Sequence, residues 1–285
     1  MKSFKYIIVG VIIAAAIAIV LAFTLNTSDV NSKKSDDYII KNTWELPKVL
    51  SEISGITWLS DNKIASVQDE DGVIFIYDLE KKEVVEEIKF AGSGDYEGIA
   101  VYKIDAYVLR SDGKIFKVAR FRESEKVTTT SFDTGFTEKN NMESLTLDTT
   151  SSFLIVAPKD RDSSDDFKGL YQVKIDSEKR EAKPAVKINM NDAALKEFKN
   201  KKAYKTFSPS DVAIHPVTKE YYVLEGKNPK LVILNRDGAI KNVIKLDKDD
   251  FAQPEGITFS PDGTLYISNE AGKGKATIVQ VDLSL

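Results

Sequence analysis

A chain of 285 residues with 40 basic and 44 acidic side chains carries a net charge of −4, so no positive surplus draws it to nucleic acid. It has no cysteine, which excludes disulfides, thiolate metal sites, thiol nucleophiles and a lipoprotein anchor; its single histidine argues against a zinc site of the usual nitrogen and sulfur ligands.

In chain order, residues 1–5 carry Lys2 and Lys5, and residues 6–25 form an unbroken uncharged run rich in Ile, Ala and Val. Twenty residues at about 1.5 Å each span a hydrocarbon core of about 30 Å. The expectation is a transmembrane helix at 6–25 with a cytoplasmic N-terminus, because the lysines precede the run. The rest of the chain then lies outside the cytoplasm. A cleaved signal peptide is the alternative, although the run is long for one and no small-residue cleavage motif follows it. Residues 26–37 are polar, with Val30 as the one large apolar side chain, and read as a flexible tether.

Residues 38–285 carry five copies of a short strand signature: Ser54-Gly55-Ile56-Thr57, Glu97-Gly98-Ile99-Ala100, Glu143-Ser144-Leu145-Thr146, Asp211-Val212-Ala213-Ile214 and Glu255-Gly256-Ile257-Thr258. Their second positions are 43, 46, 68 and 44 residues apart. That period, with further β-rich runs between copies, is the mark of a β-propeller. In the second unit, for instance, the later runs are 106–109, 114–119 and 127–132. Asp-Gly pairs at 71–72, 112–113, 237–238 and 262–263 read as turns. The fifth unit ends after its third run, and a spare strand-like run at 38–44 precedes the first unit. Pairing that run as the outer strand of the last blade closes a five-bladed all-β ring. The long 68-residue interval holds a helix-like insertion at 191–205, joining blade three to blade four and entering the acid-bearing face as a partial lid.

The first strand of a blade is innermost and the second runs antiparallel to it, so first-strand starts and second-strand ends share one rim. That rim collects Glu97, Glu143, Asp211 and Glu255, with Ser54 and Glu52 in blade one. From second-strand ends it adds Asp69, Glu70, Arg110, Lys159, Asp160, Glu225, Asn269 and Glu270. Crowded carboxylates raise one another's pKa unless something neutralises them. Ion pairing with Arg110, Lys159 and Lys227 is one solution; a hard cation such as calcium, which takes six to eight oxygen ligands, is the other. A role for one acid in the hydrogen bonds of an inner-strand bulge, which the following Gly suits, is a third reading. Tyr96 and Phe251 read equally as rim or core residues, and Phe207 as core. His215, before Pro216 in a turn, reads as structural. No residue is assigned a catalytic role.

The segments Gly94-Asp95-Tyr96-Glu97-Gly98-Ile99-Ala100, Val108-Leu109-Arg110-Ser111-Asp112-Gly113, Pro209-Ser210-Asp211-Val212-Ala213-Ile214-His215-Pro216 and Gln253-Pro254-Glu255-Gly256-Ile257 resemble the SdiA-regulated bacterial proteins. The likeness runs over nearly all of 38–285. It implies a five-bladed propeller distantly similar to NHL repeats with a bound calcium ion, and so a calcium site at the motif acids Glu97, Glu143, Asp211 and Glu255. Blade one departs from the pattern at Ser54.

The resulting expectation is a membrane-anchored, extracytoplasmic calcium-binding propeller that recognises a protein or small-molecule ligand. Two alternatives stand beside it: a calcium-dependent lactonase or esterase, in which the metal polarises a carbonyl, and a scaffold with an ion-paired channel.

Overall fold

The computed structural model describes residues 37–123, 126–175, 179–180 and 183–285. The membrane helix expected at 6–25 and the tether to residue 36 lie outside the described residues; among these, no helix is long and apolar enough to cross a membrane.

The first strand, β1 (Tyr38–Glu45), belongs to the last blade. Blade one is β2 (Ile53–Trp58), β3 (Lys63–Gln68), β4 (Asp71–Asp78) and β5 (Glu83–Ser93). Blade two is β6 (Tyr96–Tyr102), β7 (Asp105–Arg110), β8 (Lys114–Ala119) and β9 (Thr128–Asp133). Blade three is β10 (Met142–Asp148), β11 (Phe153–Pro158) and β12 (Phe167–Lys174), with both β13 (Lys179–Arg180) and β14 (Val186–Asn189) paired to β12. Blade four is β15 (Asp211–Ile214), β16 (Tyr221–Glu225), β17 (Lys230–Leu234) and β18 (Ile240–Lys245). Blade five is β19 (Pro254–Phe259), β20 (Leu265–Asn269) and β21 (Thr277–Leu283), and its fourth strand is β1. The ring thus has five blades, closed by the N-terminal strand as the sequence pattern requires.

The core consists of five apolar clusters, one between each pair of neighbouring blades. Strand periodicity explains how one sheet feeds two of them: successive side chains point to opposite faces. In β16, Tyr221 and Val223 enter the cluster shared with blade three, while Tyr222 and Leu224 enter the one shared with blade five. A sheet covered on both faces needs apolar residues at every position, which is why the middle strands read as continuous hydrophobic runs.

Two local features differ from the sequence reading. Three Asp-Gly pairs do turn, with Gly113, Gly238 and Gly263 at positive φ, but Asp71-Gly72 opens β4. The turn before it is held by the Gln68 side chain, which accepts the amides of Glu70 and Asp71. The 191–205 insertion is two short 3-10 turns, Ala193–Phe198 and Ala203–Lys205. Asp192 caps the first by accepting the Ala194 amide at 2.9 Å. The insertion packs its apolar side chains into the blade three–four junction, with its first turn against β18.

Ring closure rests on β1. It pairs antiparallel with β21 from Tyr38↔Leu283 to Glu45↔Thr277, and its side chains serve two junctions: Tyr38 packs between blades four and five, and Trp44 between blades five and one. Deleting residues 37–45 leaves β21 as an open edge and removes both rings, so the truncated propeller is expected to self-associate and melt earlier. Light scattering and thermal melting check this; a monomeric truncation with unchanged melting temperature contradicts closure.

Candidate functional site

The inner strands carry the site because of how they are bent. In β6, Tyr96 pairs with Arg110 and Gly98 with Leu109, leaving Glu97 as an extra residue. The same skip falls at Glu143 in β10 and at Glu255 in β19. A bulge re-aims the side chain it carries, and here three bulges act on three glutamates at equivalent positions. Small residues follow because inner strands nearly touch at the axis. A Cβ on Gly98 would sit 2.6 Å from the Leu145 Cβ of blade three, and one on Gly256 would sit 2.5 Å from the Ser54 carbonyl oxygen of blade one.

The glutamates meet one ammonium. Lys159, just beyond β11, places Nζ 2.6 Å from Glu143 Oε2 and 3.9 Å from Glu255 Oε2. Glu97 and Glu270 lie in its field as well. Burial pushes Glu97, Glu143 and Glu255 above the usual carboxylate range; Glu143 raises Glu97 further, Glu255 raises Glu143 further, and Lys159 opposes each shift. Burial also lifts Glu270 to about 8, aided by Glu255, and Asp69 to about 6, aided by Glu52 and Asp95. Burial works to lower the Lys159 pKa, but Glu143 and Glu255 outweigh it and hold the ammonium charged.

Asp211 is built differently. β15 has no bulge, and the Asp211 carboxylate turns into the strand junction. Its Oδ1 accepts the amides of Val212 at 2.8 Å and Leu145 at 3.3 Å, and its Oδ2 accepts the amide of Ile257 at 2.9 Å. One side chain thus ties blades three, four and five at the axis. Burial pushes its pKa up, and the three amides oppose that shift. Of the four motif acids, the structure gathers Glu97, Glu143 and Glu255 around Lys159, whereas Asp211 spends both oxygens on backbone. The sequence reading leaves a hydrogen-bonding role open for an acid at an inner-strand bulge before a glycine; Asp211 instead bonds across the junction from a strand without a bulge.

Other expected rim residues fall elsewhere. Arg110 does not offset the acids: its guanidinium grips Asp112 through two hydrogen bonds of 3.1 and 2.7 Å and lies over the Phe116 ring. Tyr96 and Phe251 are core residues, packed edge-on to Phe90 and Tyr38 respectively. Phe207 is core, as expected. Ser54 is buried, and its carbonyl accepts the Ser268 hydroxyl at 3.0 Å. His215 sits at the opposite end of the inner strand, where Nδ1 accepts the amides of Val217 and Thr218, so it is a turn residue.

Two lysines behind the site have no obvious sequence signal. Lys168, wholly buried in β12, donates to the Lys159 carbonyl at 2.7 Å and so braces the residue that anchors the cluster. Burial lowers its pKa to about 8. Lys230, equally buried in β17, pairs with Glu225 and lies under the Phe198 ring of the insertion. At strand starts, both read as ordinary surface lysines.

Among the described residues, no group of three or more His, Asp or Glu side chains is drawn into a metal cage. The donor chemistry nevertheless suits a hard cation. Asp69 Oδ1 is buried with no hydrogen-bond partner among the described residues, and Glu143 Oε2 is buried with the Lys159 ammonium as its one partner. One ammonium leaves the charge of the surrounding carboxylates unbalanced.

The SdiA-regulated family model matches residues 31–273. No curated protein matches the chain. Among solved structures, glutaminyl cyclase of Myxococcus xanthus superposes with a TM-score of 0.59 at 12% identity, covering 86% of this chain and 96% of that one. PQQ-bound aldose sugar dehydrogenase of Streptomyces coelicolor gives 0.52 at 11% identity, with 87% and 98% covered. A chain of a nidogen/laminin complex gives 0.51 at 14%, again with 87% and 98% covered. Likeness at these identities establishes the fold alone.

Two outcomes follow from the electrostatics. Asp69 and Glu270 titrate near 6 and 8 when folded, against an ordinary value of about 4. The unfolded chain releases those protons first, so their contribution to stability is full below about pH 4 and is lost as pH rises to about 8. In chelated buffer the melting temperature should therefore fall between pH 5 and pH 8, and Asp69→Asn with Glu270→Gln should flatten the slope. Asp211→Asn should cost roughly 2–4 kcal/mol in denaturant unfolding, because its amide nitrogen meets a backbone donor. An unchanged midpoint would remove Asp211 from the junction.

Proposed function

The chain belongs to the SdiA-regulated family, and we propose that its propeller is an extracytoplasmic binding module whose acid-lined channel mouth takes a hard cation, calcium foremost, held near a bilayer by residues 6–25. The observation that carries this reading is the imbalance at the rim. Glu97, Glu143, Glu255 and Glu270 share the field of one ammonium, Lys159, and the buried Asp69 Oδ1 has no hydrogen-bond partner among the described residues. Burying unneutralised carboxylates is costly, and a divalent cation with oxygen ligands relieves that cost while organising the mouth for a ligand. Glu97, Glu143, Glu255 and the neighbouring Asp69 are the residues suited to hold it. Asp211 supports them from the strand junction.

The test is calcium-dependent stability. A ligand bound only by the folded state adds about 2.7 kcal/mol at one hundred times its Kd. At pH 7.5, calcium should raise the melting temperature of the wild type and chelator should lower it. Glu143→Gln and Glu97→Gln should blunt the rise, since each trades a charged oxygen pair for one neutral oxygen. A wild type indifferent to millimolar calcium returns the rim to an ion-paired scaffold organised by Lys159. In that case Lys159→Met should destabilise strongly at pH 8 and little at pH 5.

A further inference from the structure

The insertion that lengthens one blade interval also holds the densest positive charge in the chain. Residues 196–205 contain Lys196, Lys199, Lys201, Lys202 and Lys205 against one acid, Glu197. Ten residues thus carry +4 in a chain of −4, leaving −8 for the rest. All five lysines are exposed, and none takes part in an ion pair among the described residues. Like charges at this spacing repel, yet the segment is firmly seated. Leu195 is buried in the blade three–four junction, and Phe198 lies 4.6 Å from Lys230 Nζ. Tyr204 is buried with the Arg161 guanidinium 4.7 Å over its ring, and the Thr206 hydroxyl accepts the Asn200 amide at 3.2 Å. The apolar side chains fasten the segment from beneath while its lysines remain in solvent.

We propose that this lysine patch docks the propeller on the anionic phospholipid headgroups of a bilayer. The proposal rests on the reading of residues 6–25 as a membrane anchor. Between that run and β1 stand residues 26–37, which even fully extended reach about 40 Å. A tether of that length confines the propeller to the neighbourhood of the headgroups and so raises their effective concentration. Charge complementarity selects the anionic ones: each lysine near such a surface strengthens binding roughly fivefold, and the gain fades with salt. The position of the patch suits the rim. The first turn of the insertion packs on β18, the outermost strand of blade four, whereas the acids stand at the axis.

The test uses residues 35–285, which form a compact unit holding every strand of the ring. Sedimentation with phosphatidylcholine vesicles is compared with sedimentation after phosphatidylglycerol is added. The fragment should bind the anionic vesicles only and release them at high salt. Replacing Lys199, Lys201 and Lys202 together by Gln should weaken binding on the order of a hundredfold, with no change in melting temperature; replacement by Arg should preserve it. Equal binding to both vesicles, no binding to either, or undiminished binding by the Gln variant overturns the proposal. Binding of soluble polyphosphate without vesicle binding also overturns it, in favour of a soluble polyanion. Because the fragment lacks residues 1–34, none of these failures bears on the membrane segment itself.

Discussion

The close approach of the inner strands around one axis governs the rest of the molecule. Five strands converge so tightly that a single methyl on Gly98 or Gly256 would strike the next blade. There is no room for a side chain at those two glycines, and beside them Asp211 ties the inner strands with amides from three blades. Bulges arise where the strands start, and each pushes one residue out of the ladder. The residue so displaced is a glutamate in blades two, three and five. The packing that closes the ring therefore also concentrates negative charge at its mouth.

That concentration sets the chemistry. Carboxylates held together in a poorly hydrated place must be protonated, paired or bound to a cation. Lys159 answers part of the need, and its position depends on Lys168, which holds its carbonyl from within blade three. Lys168 in turn lies 5.9 Å from the Tyr204 ring, so the insertion that carries the exposed lysines also shelters the lysine that braces the rim. Two regions of opposite charge, one at the axis and one on the flank, are thus fastened to the same junction between blades three and four.

What could be read from the linear chain was what repeats. The signature period, the alternation of buried faces and the unfinished fifth unit determined the number of blades, the strand order and the closing role of β1. They also determined that Glu97, Glu143 and Glu255 would stand at equivalent places, because equivalent positions of a repeat occupy equivalent positions in the ring. What repetition cannot convey was decided only by the tertiary structure. Asp211 shares the motif position of the glutamates but lacks their bulge, so its oxygens turn to backbone amides. Arg110 occupies the right face but finds Asp112 two residues away, a nearer partner than the rim. Tyr96 and Phe251 sit beside acids in sequence and within the core in space. Lys168 became the brace for Lys159 through a contact across two strands. In each case, the outcome turned on which partner lay within hydrogen-bond or van der Waals reach once the blades were packed, and that distance is a property of the fold.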